Sequence, residues 1–252
     1  MSKYKYQKNQ NCLINEYKKN QNFNPIIKNI HNVRYLWLKS EFRKLRKLKG
    51  KDYQIKIVDI GCGYCKAYKT LKEINENFDY IGIEPDKNFY SEAVKKYGKN
   101  KNFQVINDIA QNALKNISSS DIVISFECLE HIEQKHIPLI IDMICMLNPK
   151  IFACTVPVEV GPALLIKNFV TFILRYPRYK EYSLSETIWA GTYNLQKLPP
   201  HNQSHKSFDW RTLKNKISEK MIIKKLKKIP FQFLPSSITP SIGFLSIPKQ
   251  NT

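Results

Sequence analysis

The sequence predicts an α/β fold in which helices cover both faces of a mostly parallel sheet. Short apolar runs alternate with helix-like segments of about ten residues between positions 55 and 156. The first run ends in a glycine turn, Gly61-Cys62-Gly63, and the second ends on an acid, Glu84. This alternation is typical of βαβ units, whose ligands bind beyond the carboxyl ends of the strands.

The individual elements follow from apolar periodicity and from turn residues. Residues 31–48 carry apolar side chains along one helical face, and Gly50 ends this helix. Strands are predicted at 55–60, 80–84, 103–106, 122–126 and 150–156, with helices at 66–75, 87–97 and 137–147 between them. After Pro157 the rhythm breaks, and a helix near 209–213 and β runs at 221–229 and 241–247 follow.

We divide the chain into a flexible basic N-terminal arm, residues 1–30, and one domain, residues 31–252, with an insertion at about 158–206. A length of 252 residues fits one α/β domain with an insertion. The hydrophobic fraction of 42% is enough for a sizeable core.

The net charge of +20 favours a polyanionic partner. However, only six of the 41 basic residues are arginine, which is the residue best suited to bidentate phosphate recognition. The many lysines accompany abundant Asn and Ile, which indicates compositional bias. Nucleic acid is therefore the less favoured partner.

We expect a cytoplasmic protein. No apolar stretch follows the basic start, so no secretory signal is predicted, and the cysteines show no disulfide spacing. The longest apolar run, 162–174, is too short to cross a bilayer. Its apolar and basic residues, continued to position 178, suit peripheral contact with the inner surface of a membrane.

The glycine turn is the first candidate site. Glycine lets the backbone approach a ligand closely, and an acid about twenty residues further on suits ribose hydroxyls. Cys62-Gly63-Tyr64-Cys65 also has the C-x-x-C spacing of disulfide oxidoreductases. The joint placement of Asp59 and Glu84 disfavours that alternative, because a redox site needs no ribose acid.

Residues 30 to about 215 resemble the class I S-adenosylmethionine-dependent methyltransferases. The most specific element is Glu127-Cys128-Leu129-Glu130-His131, which is similar to the E-x-L-E-H signature of the group that includes the ubiquinone-pathway O-methyltransferases. His31-Asn32-Val33-Arg34 resembles the N-terminal helix of that group. The resemblance implies a Rossmann-like fold with a mostly parallel seven-stranded sheet and S-adenosylmethionine as the cofactor.

The resemblance also implies roles for individual residues. Arg34 would hold the cofactor carboxylate, Phe126 would lie near the sulfonium, and the remaining cofactor-binding residues would be Asp59, Gly61, Cys62, Gly63, Glu84, Pro85, Asp108 and Ile109. In some relatives the acids and the histidine of the signature, here Glu127, Glu130 and His131, bind Mg²⁺. A site without metal is the favoured prediction.

We expect O-methylation of a glycan, lipid-linked or small-molecule hydroxyl, with His131 as the first and His205 as the second candidate base. The run 155–162 looks more like that of methyltransferases found among glycan-synthesis genes. Phe126-Glu127-Cys128-Leu129 replaces the motif of nucleobase N-methyltransferases. The alternatives are an RNA methyltransferase and a non-catalytic cofactor-binding protein. The only sequence feature that favours the non-catalytic alternative is Cys65, which takes the place of the third glycine of the usual G-x-G-x-G.

Overall fold

The structure, a computed structural model, describes residues 25–74, 77–173, 181–201 and 205–249. The strands are β1 (Ile55–Ile60), β2 (Phe78–Ile83), β3 (Phe103–Ile106), β4 (Ile122–Phe126), β5 (Ile151–Pro157), β6 (Met221–Ile229) and β7 (Ser241–Pro248). The helices are α1 (Pro25–Lys49), α2 (Lys66–Lys72), α3 (Lys87–Tyr97), α4 (Ala110–Ala113), α5 (Ile137–Met146), α6 (Pro162–Ile173), α7 (Leu184–Gly191) and α8 (Trp210–Lys220).

The strands form one sheet of order β3-β2-β1-β4-β5-β7-β6. The first five strands are parallel, and β7 runs antiparallel to both of its neighbours. The order reverses between β1 and β4, so the crevice beyond the carboxyl ends of these two strands is where an open α/β sheet binds its ligand. The predicted fold class is confirmed.

Two apolar layers hold the helices on the two faces of the sheet. One layer packs α4, α5 and α8 against alternate strand residues such as Val58 and Val123. The other packs α1, α2 and α3 against residues of the opposite parity, such as Ile57 and Ile124. This alternation is the period of two of a β-strand, and it leaves the central strands buried on both faces.

Some predicted boundaries differ from the structure. Helix α1 begins at Pro25 rather than at His31, so residues 25–30 of the predicted arm are helical; residues 1–24 lie outside the described part of the chain. Strand β2 begins at Phe78 and ends one residue before Glu84. The insertion contains α6 and α7, while 174–180 and 202–204 lie outside the described residues. Within the described residues, no helix has the length and apolar character needed to cross a membrane.

Candidate active site at the carboxyl ends of the strands

The glycine turn after β1 is shaped by positive backbone angles. Gly61 and Gly63 have φ of +72° and +54°, and Cys65 adopts the same left-handed conformation with φ of +58°. The backbone N–H groups of Gly61 and Cys62 both donate to the carbonyl of Ile83, at 2.9 and 3.1 Å. Cysteine at the third position of the motif therefore preserves the turn, at a cost of roughly 1 kcal/mol for a non-glycine residue.

Asp59 and Glu84 lie on the same face of the sheet. Asp59 pairs with Gly82 in the parallel register, and Glu84 follows β2 with the same alternation. The two carboxylates are close enough for the charge of Glu84 to raise the pKa of Asp59. The sequence therefore brings both acids to the edge of one crevice.

Glu84 is held by the turns that it joins. Its Oε2 accepts from the Gly63 N–H at 2.8 Å, and its Oε1 accepts from the Asp86 N–H at 2.9 Å. Burial raises the pKa of Glu84, and these two hydrogen bonds lower it. The carboxylate is thus fixed at the end of β2 against the glycine turn.

Asp59 is held by a contact with the neighbouring strand β2. It is buried and accepts a short hydrogen bond from the hydroxyl of Tyr80. Burial raises its pKa to about 7, and the hydrogen bond from Tyr80 opposes that rise. The hydrogen bond from Tyr80 therefore ties the end of β1 to β2.

The two thiols of the C-x-x-C segment are free and lie 3.5 Å apart. The hydrogen bond from Cys65 and burial raise the pKa of Cys62 well above its ordinary value. A reactive thiol needs the opposite shift, so the surroundings of Cys62 do not favour disulfide exchange.

The loops after β2 and β3 form the outer edge of the crevice. Asn107 donates through Nδ2 to the carbonyls of Glu84 and Pro85, at 2.8 and 3.1 Å, which ties the two loops together. Asp108 accepts from the Ile109 N–H at 2.7 Å, and Ile109 is 46% exposed. Pro85, in the loop after β2, is exposed as well.

Helix α1 packs across the end of β4. The ring of Phe126 lies 5.8 Å from Tyr35 and 6.5 Å from Trp37, so it contacts this helix. Arg34, almost fully buried, forms a salt bridge of 3.1 Å through Nη1 to Glu127 Oε1. Glu127 itself has φ of +53°, an unfavourable angle of the kind that is concentrated at functional sites.

Glu130, His131 and His205 form a cluster next to this salt bridge. Their candidate ligand atoms all lie within 4.8 Å of one another. The rings of His131 and His205 are 4.7 Å apart, and His131 Nε2 is 4.0 Å from Glu130 Oε1. The structure thus brings the two predicted bases together, whereas Glu127, the third predicted metal ligand, pairs with Arg34.

Glu130 is buried completely, with His131 Nε2 4.0 Å from its Oε1. Apart from its own backbone N–H, its carboxylate oxygens meet no hydrogen-bond donor among the described residues. Burial, followed by the charge of Glu127, raises the pKa of Glu130 far above its ordinary range, while Arg34 opposes this. A buried carboxylate with open oxygens is unusual unless the site takes a proton or a ligand.

Sequence reasoning missed two charged residues of this region, Glu159 and Lys66. Glu159, fully buried after β5, binds Lys167 Nζ at 2.5 Å and lies 3.8 Å from His205 Nδ1. An acid two residues after β5 was a usable signal for Glu159, as the acid directly after β2 was for Glu84. Lys66 follows the glycine turn at the start of α2, and its position alone gave no signal.

The strand order, the glycine turn and the acid after β2 together define a Rossmann-like methyltransferase fold. Residues 58–148 match the sequence family described as a methyltransferase domain. No curated protein sequence matches the chain significantly. The described part of the chain therefore has the fold of the class I S-adenosylmethionine-dependent methyltransferases, whose cofactor is S-adenosylmethionine.

Solved structures of this fold include methyltransferases that act on chemically different acceptors. A CurJ carbon methyltransferase aligns with a TM-score of 0.63 and 13% identity over 96% of this chain, which spans 59% of the CurJ chain. The N-methyltransferase NodS from Bradyrhizobium japonicum WM9 aligns with a TM-score of 0.54 and 10% identity, over 87% of this chain and 97% of NodS. The small RNA methyltransferase HEN1 aligns with a TM-score of 0.53 and 15% identity, over 84% of this chain and 26% of the HEN1 chain. At these identities the likeness concerns the fold alone.

Proposed function

We propose that the protein transfers a methyl group from S-adenosylmethionine to a hydroxyl group. The observation that supports this proposal is the cluster of Glu130, His131 and His205 at the carboxyl end of β4. A neutral hydroxyl is a weak nucleophile and loses its proton as it is methylated. The reaction centre therefore needs a base or a cation, and this cluster offers two histidines as candidate bases and three side chains that could bind a cation.

The residues at the strand ends fit the cofactor. No atom of the described residues lies within 4 Å of the position that a Cβ would take on Gly63, so a ligand has room there. The carboxylate of Glu84 suits ribose hydroxyls, and the exposed side chain of Ile109 suits the apolar face of adenine. The sulfonium of the bound cofactor supplies an electrophilic methyl group.

Glu130, His131 and His205 also fit a divalent cation in the active enzyme. One carboxylate and two imidazoles suit a transition metal such as Fe²⁺ or Zn²⁺ better than Mg²⁺, which prefers oxygen ligands. A cation there would lower the pKa of a bound hydroxyl. In its absence His131, with a side chain 45% exposed, is the better placed base, since His205 is 23% exposed.

The acceptor is tested with S-adenosylmethionine tritiated in its methyl group and a panel of polysaccharide, lipid extract, small hydroxylated molecules and RNA. We expect label in a stable methyl ether, with His131→Ala lowering the rate roughly a hundredfold or more. His136→Ala is the matched control, because this half-exposed histidine caps no backbone group and lies outside the cluster. Label found only on nitrogen or carbon would contradict the proposal.

The cation is tested separately by titrating metal-free protein with Zn²⁺, Fe²⁺ and Mg²⁺ in a calorimeter. His205→Ala should lower the affinity for the preferred ion at least tenfold, about 1.4 kcal/mol. His136→Ala again serves as the control. Equal affinities in wild type and His205→Ala would leave His131 as a metal-free base.

RNA is the second candidate acceptor, because lysines are concentrated on the edge strand β6. Burial and the charge of Lys225 lower the pKa of Lys227, Glu41 of α1 raises it, and Lys44 of α1 lowers it again. Cations held this close together gain from a polyanion. RNA binding should then weaken steeply between about 50 and about 200 mM salt. No binding at the lower salt concentration would exclude this acceptor.

We also propose that the outward face of α6 contacts a membrane surface or a lipid-linked acceptor. Six of its apolar side chains are 37–65% exposed: Leu165, Ile166, Phe169, Val170, Phe172 and Ile173. At 100° per residue they form one continuous face, opposite the buried Leu164, Asn168 and Thr171. An exposed apolar face of this kind marks an interaction site, and the net charge of +20 favours anionic lipid.

Flotation with anionic and zwitterionic vesicles tests this contact. Replacing Phe169 and Phe172 by serine should abolish flotation with anionic vesicles. Leu139→Ser is the matched control, since Leu139 is an apolar residue, 47% exposed, on a different helix, α5. Equal flotation of both variants would contradict membrane contact. So would a wild-type dimer that becomes a monomer when both phenylalanines are replaced by serine.

A further inference from the structure

Arg34, the residue that the family resemblance assigns to the cofactor carboxylate, is already engaged within the chain. Its Nη1 binds Glu127 Oε1 at 3.1 Å, and its Nε donates to the carbonyl of His31 at 3.1 Å. Its Nη2 contacts His31 Nδ1. Most donors of this buried guanidinium are therefore used before any ligand arrives.

Lys66 is a second cation beside Arg34, and its partners are all neutral. Its Nζ donates to Asn32 Oδ1 at 2.9 Å and lies 4.8 Å from the centre of the Tyr35 ring. No carboxylate of the described residues forms a salt bridge with it. The ammonium group thus lies between the glycine turn and α1 without a counter-charge in contact.

The surroundings of Lys66 disfavour its charge. Burial, followed by the charges of Arg34, Lys28 and Lys69, lowers its pKa to about 8. A cation in this position is stabilised when an anion binds beside it, because the opposite charge offsets both the burial and the neighbouring cations.

We propose that Lys66, supported by Asn32 and Arg34, binds the α-carboxylate of S-adenosylmethionine. This inference rests on the proposed cofactor site. The carboxylate is the only anionic group of the cofactor. Lys66 begins α2 three residues after Gly63, beside which there is open space, and Arg34 of α1 pairs with Glu127 directly after β4. A phosphate of an acceptor is the other oxyanion that this position suits.

Two ligands distinguish these sources without an assay of methyl transfer. S-adenosylhomocysteine carries the carboxylate, whereas 5′-methylthioadenosine keeps the nucleoside and lacks the amino-acid part. We expect Lys66→Met to weaken S-adenosylhomocysteine about tenfold or more in calorimetry and to change methylthioadenosine less than about twofold. Lys66→Arg should restore the affinity for S-adenosylhomocysteine.

Lys69→Met is the matched control. Lys69 lies on the same helix, is exposed, and contributes to the same local charge without touching Asn32 or Tyr35. Its replacement should leave both affinities unchanged, which separates a contact with the ligand from a general loss of positive charge. Unchanged thermal unfolding of Lys66→Met shows that the fold is intact.

The pH dependence provides a second readout. Lys66 must be protonated to bind an anion, so wild-type affinity for S-adenosylhomocysteine should fall as the pH rises above about 8. The charged groups around it are Arg34 and Lys28 from α1, Lys69 from α2, and Glu127 paired with Arg34. Lys66→Arg should lose less affinity over this range, because arginine stays protonated.

Equal affinity of wild type and Lys66→Met for S-adenosylhomocysteine would overturn the proposal. If Lys66→Met then weakened only inorganic phosphate, the anion would belong to the acceptor and the assignment to the carboxylate would be wrong. Failure of the proposed cofactor site looks different, since wild-type protein would then bind neither adenosyl ligand, and failure of O-methylation would show as label on nitrogen or carbon with both affinities intact.

Discussion

Replacement of Glu84 tests the cofactor site most directly. The loss of folding stability that follows from its two backbone hydrogen bonds can be calculated, so it can be separated from the loss of ligand affinity. Oε2 and Oε1 accept from the backbone N–H groups of Gly63 and Asp86 at 2.8 and 2.9 Å. A buried donor left without an acceptor costs about 1–3 kcal/mol. Glu84→Ala leaves two, so it should lower the free energy of unfolding by about 3 kcal/mol, whereas Glu84→Gln keeps one acceptor oxygen and should cost about half as much.

The ligand contact is measured on Glu84→Gln, which stays folded on this argument. Urea denaturation gives its stability, and calorimetry gives its affinity for S-adenosylhomocysteine, which should fall at least tenfold, about 1.4 kcal/mol. Asp86→Asn is the control, since Asp86 caps α3 through acceptor oxygens that asparagine can replace. If Glu84→Gln lost stability and bound the ligand as tightly as wild type, Glu84 would only hold the turn.

Two further predictions concern the first strand and its turn. The folded-state pKa of Asp59, about 7, exceeds the ordinary value of 3.8, so wild type should lose stability as the pH rises from about 4 to about 7. The loss in the free energy of unfolding, measured by urea denaturation, should be at most about 4 kcal/mol. Asp59→Asn should remove most of this pH dependence, and an unchanged pH profile in the variant would contradict the prediction. Gly61→Ala should destabilise the protein more than Gly63→Ala, because a Cβ at position 61 would lie 2.4 Å from Cys128 Sγ. Gly63→Ala should mainly weaken S-adenosylhomocysteine, since its methyl group enters open space, and full affinity would contradict a ligand there.

The central part of the fold could be predicted because its signals are local. Strands β1, β3 and β4 have the predicted boundaries, since each is a short apolar run limited by turn residues or an acid. The predicted start of α1, at residue 31, was wrong, because the helix begins at Pro25. Pro25 is a good first residue of a helix, but the Lys- and Asn-rich composition around it indicated a disordered arm.

The cofactor side of the site could be predicted for the same reason. Asp59 and Glu84 each lie at a strand end, and the register of a parallel sheet brings strand ends together. Lys66 could not be predicted as part of it, because its significance depends on Asn32 and Tyr35, thirty or so residues earlier. Their approach is a result of packing α1 against α2, which no spacing in the sequence reveals.

The opposite side of the crevice is built by contacts between segments far apart in the chain. His205 reaches His131 because the insertion folds back: its backbone carbonyl meets the Tyr182 hydroxyl at 3.4 Å, and Glu159 lies beside its ring. Residues of the insertion can change without disturbing the strand ends that carry Glu84 and the glycine turn. Acceptor choice can therefore vary on an unchanged cofactor site, and structures of this one fold include carbon, nitrogen and RNA methyltransferases. For this chain, the residues that decide the acceptor should accordingly be sought between 158 and 206 and on α1, rather than in the turns after β1 and β2.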